Sequence, residues 1–176
     1  MTNFSTGPDR LLRLLETDYN AEGFSTGWAE PTSEDPFRSL IIRFDGIGEE
    51  ARDMQLELGF LPNMEDAEAA GICILQAFVT IAEGVSPVYC GELLRLAAKL
   101  NTMLPLGAFG LFEDTGVVYF KHNSLLLLGN EDAANIKAID TQNGLILHLH
   151  QLYMDAFLKV AAGQASADEI LEMLPL

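Results

Sequence analysis

The sequence predicts an α+β domain whose helices and strands follow the order α-β-β-β-α-β-β-α, with a short tail helix after them. Three observations lead to this class. The chain has 176 residues, which is an ordinary length for one domain. Hydrophobic residues make up 49% of the chain and charged residues 20%, a composition typical of globular proteins. Apolar residues recur with the two-residue period of strands in some segments and with the period of helices in others.

Four segments divide the predicted domain: an N-terminal helix at 1–20, a linker at 21–36, an αβ core at 37–162 and a tail helix at 163–176. The first helix begins at Gly7-Pro8-Asp9, which supplies a permissive cap, a proline at the first helical position and an acid in the first turn. The linker is rich in turn-forming residues, so we expect it to run over the surface.

Three strands open the predicted core. The first, FRSLIIRFDG at 37–46, and the second, RDMQLELGF at 52–60, alternate apolar residues with polar ones. The third strand is ICILQAFVTIA at 72–82, which is apolar on both of its faces. We therefore expect this strand to be central in a sheet, or covered on both sides.

A helix and a β-hairpin follow the three strands. Ser86-Pro87 predicts the start of the helix, with the serine as its cap. The stretch LPLGAFGLFEDTGVVYF at 104–120 ends that helix and places two aromatic-rich runs around Asp114-Thr115-Gly116. This pattern predicts two strands joined by a tight turn, so the Asp-Thr-Gly is interpreted as a turn and not as a catalytic motif.

Two helices complete the predicted chain. The longer one runs from about Ala133 to about Ala162 and is apolar on most sides, so it does not suit an open surface. One side can cover the sheet, and the other is expected to meet a second partner, such as the same helix of another subunit. Ser166 and Glu169 form a capping-box pattern at the start of the tail helix.

The charge of the chain limits its partners. Ten lysines and arginines stand against 26 aspartates and glutamates, which gives a net charge of −16. Phosphate backbones and anionic membrane surfaces repel such a chain, so we expect it to bind neither nucleic acid nor membranes. Basic or amphipathic protein segments remain possible partners. The alternative is that the acidic surface serves only solubility.

The compartment is predicted from the cysteines and the N-terminal residues. Cys73 and Cys90 lack both CxxC spacing and the neighbours of a zinc site, which favours reduced thiols. The first residues lack the basic start and apolar core of a signal peptide. The longest apolar runs fall short of the ~20 residues that span a bilayer. We therefore expect a soluble cytoplasmic protein.

One motif has the spacing of a serine nucleophile. GFSTG at 23–27 matches the GxSxG pattern of serine hydrolases, with Ser25 in the middle. The pattern supports catalysis when a strand enters the turn and a helix leaves it. Here a predicted helix precedes the motif and a proline-containing loop follows. We therefore expect that Ser25 is not a nucleophile, and a hydrolase built on it is the weakest alternative.

Metal and phosphate sites are also not expected. His148 and His150 lie about 200° apart around the predicted long helix, so they cannot share a metal ion. The glycines at 46–48 run into Glu49-Glu50, which repel phosphate, and those at 107–110 lack a lysine and lead into a strand, so neither stretch has the context of a phosphate-binding loop. The acids near the first of these are interpreted as a solvated turn, not a calcium loop: Asp45, Glu49, Glu50 and Asp53. We predict no catalytic residue, no cofactor and no metal, and a protein that is not an enzyme.

The segment ELLRLAAKLNTMLPLGAFGLFEDTGVVYFKH at 92–122 resembles a known family. An apolar helix ends in Leu100-Asn101, Leu104-Pro105-Leu106-Gly107 links it to the hairpin, and an aspartate-and-glycine turn follows. These features resemble the helix-then-hairpin core of YbjN-like domains in the type III secretion chaperone-like superfamily. The closing helix ending in LKVAAG, with a small helix after it, is similar to the same family. The resemblance covers about 37–174.

The resemblance implies an antiparallel sheet backed by helices, commonly in a homodimer. It also implies binding to protein segments, as in secretion chaperones, or a regulatory role, as in YbjN-like proteins. The family pattern contains no catalytic residue that can be carried over to this chain. The chain departs from the secretion chaperones in its long linker at 21–36 and in its added tail helix.

We therefore predict a non-enzymatic module that binds a protein segment of unknown identity and forms a homodimer. An extended segment could add to the exposed face or edge of the sheet. The candidate peptide-binding residues, called the strand-face set below, are Leu40, Ile42, Phe44, Met54, Leu56 and Leu58. The alternative is that the strand-face set faces the helices and forms the core. A second functional hypothesis is a small-molecule-responsive regulatory domain, whose pocket Gln76, Thr80 and Tyr119 could line.

Overall fold

A computed structural model describes residues 8–32 and 38–174 of the chain. The helices in these ranges are α1 (Asp9–Ala21), α2 (Glu65–Ala69), α3 (Pro87–Asn101), α4 (Asp132–Ala161) and α5 (Ala167–Met173). The strands are β1 (Ser25–Ala29), β2 (Ser39–Ile47), β3 (Arg52–Phe60), β4 (Ile72–Ala82), β5 (Ala108–Phe112) and β6 (Val117–Leu127). The predicted helix cap at Gly7, the predicted start of the core at residue 37 and the chain ends lie outside the described residues.

The described strands form a six-stranded antiparallel sheet, backed by helices, in the order β1-β2-β3-β4-β6-β5. The α+β class predicted from the sequence is confirmed. β4, the predicted third strand, has a neighbour on each side in this order, as its two apolar faces predict. Its side chains alternate strictly between buried and half-buried along all 11 residues.

Two described elements are missing from the predicted order. β1 lies inside the segment 21–36 and pairs antiparallel with β2, from Ser25 opposite Arg43 to Ala29 opposite Ser39. The prediction of a linker is therefore wrong over these residues, because pairing with β2 makes a strand out of a turn-rich sequence. The second missing element is α2, a five-residue helix in the acidic break between β3 and β4.

The two closing helices agree with the prediction. α4 extends over 30 residues, within one residue of the predicted limits. The capping box of α5 is present, since Ser166 N donates to Glu169 Oε2 at 2.8 Å and Glu169 N donates to Ser166 Oγ at 3.3 Å. The backbone N–H and the hydroxyl group of Ser166 both donate to Glu169 Oε2, and these two bonds lower the pKa of the Glu169 carboxyl group because they favour its charged form.

The chain forms two compact units. Unit 1 consists of the described residues of Met1–Phe44, with Gln55–Ala77 and Asn123–Ile146. Unit 2 consists of Asp45–Met54, Phe78–His122 and the described residues of Leu147–Leu176.

The core of unit 1 includes one stripe of α1, in which Leu11, Leu12, Leu15 and Tyr19 are buried. The rings of Tyr19, Phe24 and Phe44 pack edge to face, with centroids 5.2 to 6.1 Å apart. The Tyr19 hydroxyl donates to Asp140 Oδ1 at 2.9 Å and accepts from Asn143 Nδ2 at 3.1 Å. The aromatic packing therefore joins α1 to β2, and the hydrogen-bond pair joins α1 to the first half of α4.

The core of unit 2 is centred on the β5–β6 hairpin. Phe109 lies opposite Phe120 in the register, and its ring centroid is 4.5 Å from that of Phe157. The imidazole of His150 packs edge to face against both hairpin rings, at 5.8 and 5.2 Å. The predicted hairpin is confirmed, and Gly116 lies in its turn with φ +66°, where a Cβ would lie 2.6 Å from Val85 O. A glycine is therefore required at this position.

The β2–β3 turn at 48–51 is held by the second half of α4. Asp155 Oδ2 accepts from Glu49 N at 2.7 Å and from Glu50 N at 3.4 Å, and Asp155 Oδ1 accepts from Arg52 Nε at 3.1 Å. Gly48 N donates to Gln151 Oε1 at 3.2 Å. One helix carboxylate thus binds the backbone of the turn and the arginine at the start of β3. The four acids that were predicted to form a solvated turn are all exposed, but only Glu49 and Glu50 lie in the turn, whereas Asp45 lies on β2 and Asp53 on β3.

Candidate protein-interaction surface and ligand pocket

The strand-face set is buried. The six side chains are between 0 and 4% exposed, so they are part of the core of this chain. This is the alternative arrangement that the sequence allows for them, and it leaves none of the six as an open surface for a peptide. The surfaces that could meet a partner therefore have to be sought among other residues.

An aromatic row lies on the side of the β5–β6 hairpin that faces away from Phe109 and Phe120. It consists of Phe78 on β4, Tyr119 on β6 and Phe112 on β5. The Tyr119 ring stacks on Phe112 with centroids 4.3 Å apart and on Phe78 with centroids 5.3 Å apart. Phe112 is 49% exposed, whereas the other two rings are half-buried.

A glycine makes room for the central ring of this row. Gly110 lies directly opposite Tyr119 in the hairpin register. A Cβ at Gly110 would lie 2.5 Å from Tyr119 Cζ and 2.5 Å from its hydroxyl oxygen, so the ring covers the bare backbone. Tyr119 is therefore packed between two stacked rings and against the strand beneath it, so the row is already stacked before any partner binds.

The outer edge of β5 is partly occupied by a side chain. Asn101, the last residue of α3, donates from Nδ2 to Phe109 O at 2.9 Å and accepts at Oδ1 from Phe109 N at 2.8 Å. The amide imitates the paired hydrogen bonds of a neighbouring strand at this point. Strand addition along the whole edge of β5 is therefore obstructed, and the side-chain surface of the aromatic row is the more open feature.

Unit 1 has an exposed aliphatic pair of its own. Leu125 and Leu127 at the end of β6 are 60% and 47% exposed, while Ser124 and Leu126, which alternate with them, are buried. Ser124 Oγ donates to Leu75 O at 3.4 Å, and Leu128 N donates to Gly71 O at 2.8 Å, so β4 supports this part of β6. Two exposed leucines on a supported strand form a small apolar surface.

A pocket of about 530 Å³ lies between α1 and the first turns of α4 in unit 1. Its apolar lining comes from Leu15, Tyr19, Ala21, Ala133 and Ile136. Its charged lining comes from Asp18, Glu22, Lys137 and Asp140. Burial is the main cause that raises the pKa of the Tyr19 phenol, and the nearby Asp140 and Glu22 carboxylates raise it further. The effect of these carboxylates indicates a negative potential at the pocket.

The residues that the sequence suggested for a small-molecule pocket lie on strands of the sheet. Tyr119 belongs to the aromatic row, and Gln76 and Thr80 are half-buried positions on β4. The pocket of about 530 Å³ in unit 1 lies between two helices that meet at the Tyr19–Asp140 hydrogen bond, 121 residues apart in the sequence, so the pattern of neither helix alone indicates it. The apolar face of α1 and the acids Asp18 and Glu22 beside it were the available signal.

The motifs weighed for catalysis and metal binding occupy ordinary positions. Ser25 is exposed at the first position of β1, after a helix and not after a strand. His148 and His150 lie in α4, the first exposed and the second fully buried, as the helical prediction requires. Within residues 8–32 and 38–174, no three His, Cys, Asp or Glu side chains group in a way that could hold a metal ion.

No family model, curated protein or solved structure matches the chain. In the described part of the chain, every helix is too short or too polar to cross a membrane.

Proposed function

We propose that the protein is a non-enzymatic interaction module that binds an extended, basic segment of another protein on the aromatic row. The proposal keeps the resemblance to YbjN-like regulators and secretion chaperones as its family hypothesis, with a cytoplasmic homodimer as the form in which the module acts. The single observation that supports it most directly is a pre-stacked row of three rings whose outer member, Phe112, is 49% exposed.

The rigidity of the row favours binding. A partner that covers these rings gains apolar contact without first ordering flexible side chains, which lowers the entropic cost of association. Aromatic side chains are also the residues that most often dominate the binding energy of protein interfaces. Phe112 still exposes half of its surface, so we expect its burial to contribute about 1 kcal/mol, roughly half the value for a fully exposed ring.

Charge selects the kind of segment. The turn beside Phe112 carries Glu113 and Asp114, both exposed, and the whole chain has a net charge of −16. An acidic protein attracts basic segments over a long range and repels acidic ones. We therefore expect the bound segment to combine aromatic or aliphatic residues, which cover the row, with lysine or arginine, which face the acidic turn.

A peptide library displayed on phage tests this function, because it does not require the natural partner to be known. Selection on the wild-type protein should enrich sequences that contain both apolar and basic residues. Phe112→Ser should weaken the binding of a selected peptide by roughly fivefold, which corresponds to about 1 kcal/mol. Val88→Ser is the matched control, since Val88 on α3 is an apolar residue that is 73% exposed and lies outside the row.

A second copy of the chain is the competing occupant of the row. Light scattering after size-exclusion chromatography distinguishes the two cases. If Phe112→Ser converts a dimer into a monomer, the row is a subunit interface and the peptide-binding proposal is wrong. If the variant keeps the oligomeric state of the wild type but loses the peptide, the row is the binding surface.

A further inference from the structure

The pocket between α1 and α4 has no role in the proposed peptide binding, and its lining combines apolar and charged residues. Its volume of about 530 Å³ is within the range of sites that enclose small ligands. Its base is apolar and well packed, since Leu15 is 1% and Tyr19 is 6% exposed. The Tyr19–Asp140 and Tyr19–Asn143 hydrogen bonds fix the helices on either side, so the walls are pre-formed.

The charged groups around the pocket are not neutralised by the protein. Three carboxylates, those of Asp18, Glu22 and Asp140, stand against one ammonium group, that of Lys137, which leaves two negative charges. In the described part of the chain, none of the four takes part in an ion pair within 4.0 Å. Asp140 uses Oδ1 for the Tyr19 hydroxyl, and a carboxylate has further acceptor capacity at its second oxygen.

We propose that this pocket binds a small organic cation with an apolar body, that is, a primary amine or guanidine that carries an aliphatic or aromatic group. The apolar body lies against Leu15, Tyr19 and Ile136, and the cationic group lies among the carboxylates of Asp18, Glu22 and Asp140. Lys137 at the same rim disfavours a second positive charge close to it, so a monocation fits better than a polyamine.

The charges around the pocket distinguish an organic cation from an anion or a neutral molecule of the same shape. An organic anion of the same shape meets two excess negative charges and is repelled. A neutral molecule of the same shape keeps the apolar contacts but loses the ionic ones. A lysine or arginine side chain of a protein partner has the same chemistry as the proposed ligand, so an experiment has to distinguish a free molecule from a peptide.

The binding test uses the full chain and three probes that share a phenyl group: phenethylamine, phenethyl alcohol and 3-phenylpropionate. Amide chemical shifts from NMR titrations report which residues each probe perturbs. We expect phenethylamine to perturb residues of α1 and α4 around the pocket, the alcohol to bind more weakly and the carboxylate not to bind. A lysine-containing peptide serves as the fourth arm and tests the alternative source of the cation.

Three variants test the roles of the charged residues. Asp140→Asn keeps an acceptor for the Tyr19 hydroxyl, so the fold is retained, and it should weaken phenethylamine binding by roughly two- to fivefold. Lys137→Met should tighten binding by roughly twofold, because it removes a repulsive charge and keeps the length of the side chain. Asp66→Asn, at an exposed acid of α2, makes the same change of charge outside the pocket and should leave the affinity unchanged.

The outcomes decide between the possibilities. Phenethylamine binding that Asp140→Asn weakens and Lys137→Met strengthens supports the proposal. Equal binding of the amine and the alcohol, or equal weakening by Asp66→Asn and Asp140→Asn, overturns it. If phenethylamine at up to roughly 10 mM does not perturb the pocket residues, its binding free energy is weaker than about −3 kcal/mol, and this result also overturns the proposal. Binding of the peptide without the free amine assigns the pocket to a protein side chain and contradicts the small-molecule proposal.

Discussion

Replacement of Asp155 tests whether α4 stabilises the β2–β3 turn. Asp155→Ala removes the carboxylate that accepts from Glu49 N at 2.7 Å and from Arg52 Nε at 3.1 Å. Hydrogen bonds to charged groups contribute about 1.5–3 kcal/mol each, and the lower end applies here because water can reach the turn. We therefore expect the free energy of unfolding to fall by about 2–3 kcal/mol, which lowers the melting temperature by roughly 5–10 °C.

Urea denaturation followed by circular dichroism measures this loss, with Asp168→Ala as the control. Asp168 pairs with Arg95 on the surface, where both side chains are more than half exposed, so its removal should cost less than about 1 kcal/mol. Asp155→Asn keeps an acceptor but loses the charge, and we expect an intermediate value. Equal effects of Asp155→Ala and Asp168→Ala would refute the stabilising role of this contact.

Gly46 at the end of β2 and Gly48 in the turn allow a second test of the contact between Asp155 and the turn. Gly46 has φ +75° and Gly48 has φ +76°, so alanine at either position adopts a strained backbone at a cost of about 1–2 kcal/mol. A Cβ at Gly48 would also lie 2.5 Å from Asp155 Oδ2, whereas a Cβ at Gly46 has no atom within 4 Å. Gly48→Ala should therefore cost more than Gly46→Ala in the wild type, and the difference should disappear when Asp155 is alanine. Additive effects would contradict this coupling.

Three further predictions concern single contacts. The free energy of unfolding should fall as the pH rises above the ordinary tyrosine pKa of about 10. Burial raises the pKa of Tyr19 in the folded protein, so the unfolded chain loses the phenol proton first. Urea denaturation across that pH range should show a smaller loss for Tyr19→Phe. Asn101→Ala should cost about 1–2 kcal/mol and speed hydrogen exchange at Phe109 N, whereas an unchanged exchange rate would exclude the proposed edge contact. Gly110→Ala should displace the Tyr119 ring and reduce near-ultraviolet circular dichroism; an unaltered spectrum would show that the ring does not rest on the glycine.

Elements with a clear period were predictable from the sequence. β3 has the predicted limits because apolar and polar residues alternate along it, and β4 has them because its apolar run of 11 residues is bounded by a break on each side. α3 begins at the predicted Pro87. The hairpin turn was predictable because Gly116 needs positive φ. In each case a local rule and the tertiary structure favour the same conformation.

Elements that depend on distant pairing were not predictable. β1 has only five residues with Gly27 in the middle, and its conformation depends on β2. β6 ends in a run of leucines, in which Leu126 is buried and Leu125 and Leu127 are exposed. In such a run, both faces carry the same residue type, so composition cannot tell which positions are buried.

The candidate sites were also not predictable from the sequence, because they depend on contacts between distant residues. The aromatic residues of the hairpin are visible in the sequence, but the stacking of Tyr119 between Phe78 and Phe112 requires the pairing of three strands. The α1–α4 pocket requires a contact between Tyr19 and Asp140 that no local pattern indicates. Sequence reasoning identified the apolar strand face correctly but could not decide between surface and core, and the structure places that face in the core.

The most direct test of the central claim is the affinity of one selected basic peptide for three proteins, measured by isothermal titration calorimetry. We expect Phe112→Ser to weaken binding by roughly fivefold and Val88→Ser to bind as tightly as the wild type. All three proteins should have the same free energy of unfolding within about 1 kcal/mol, since both positions are exposed. Equal affinity of Phe112→Ser and the wild type, or an equal loss in Val88→Ser, would contradict the assignment of the aromatic row as the binding surface.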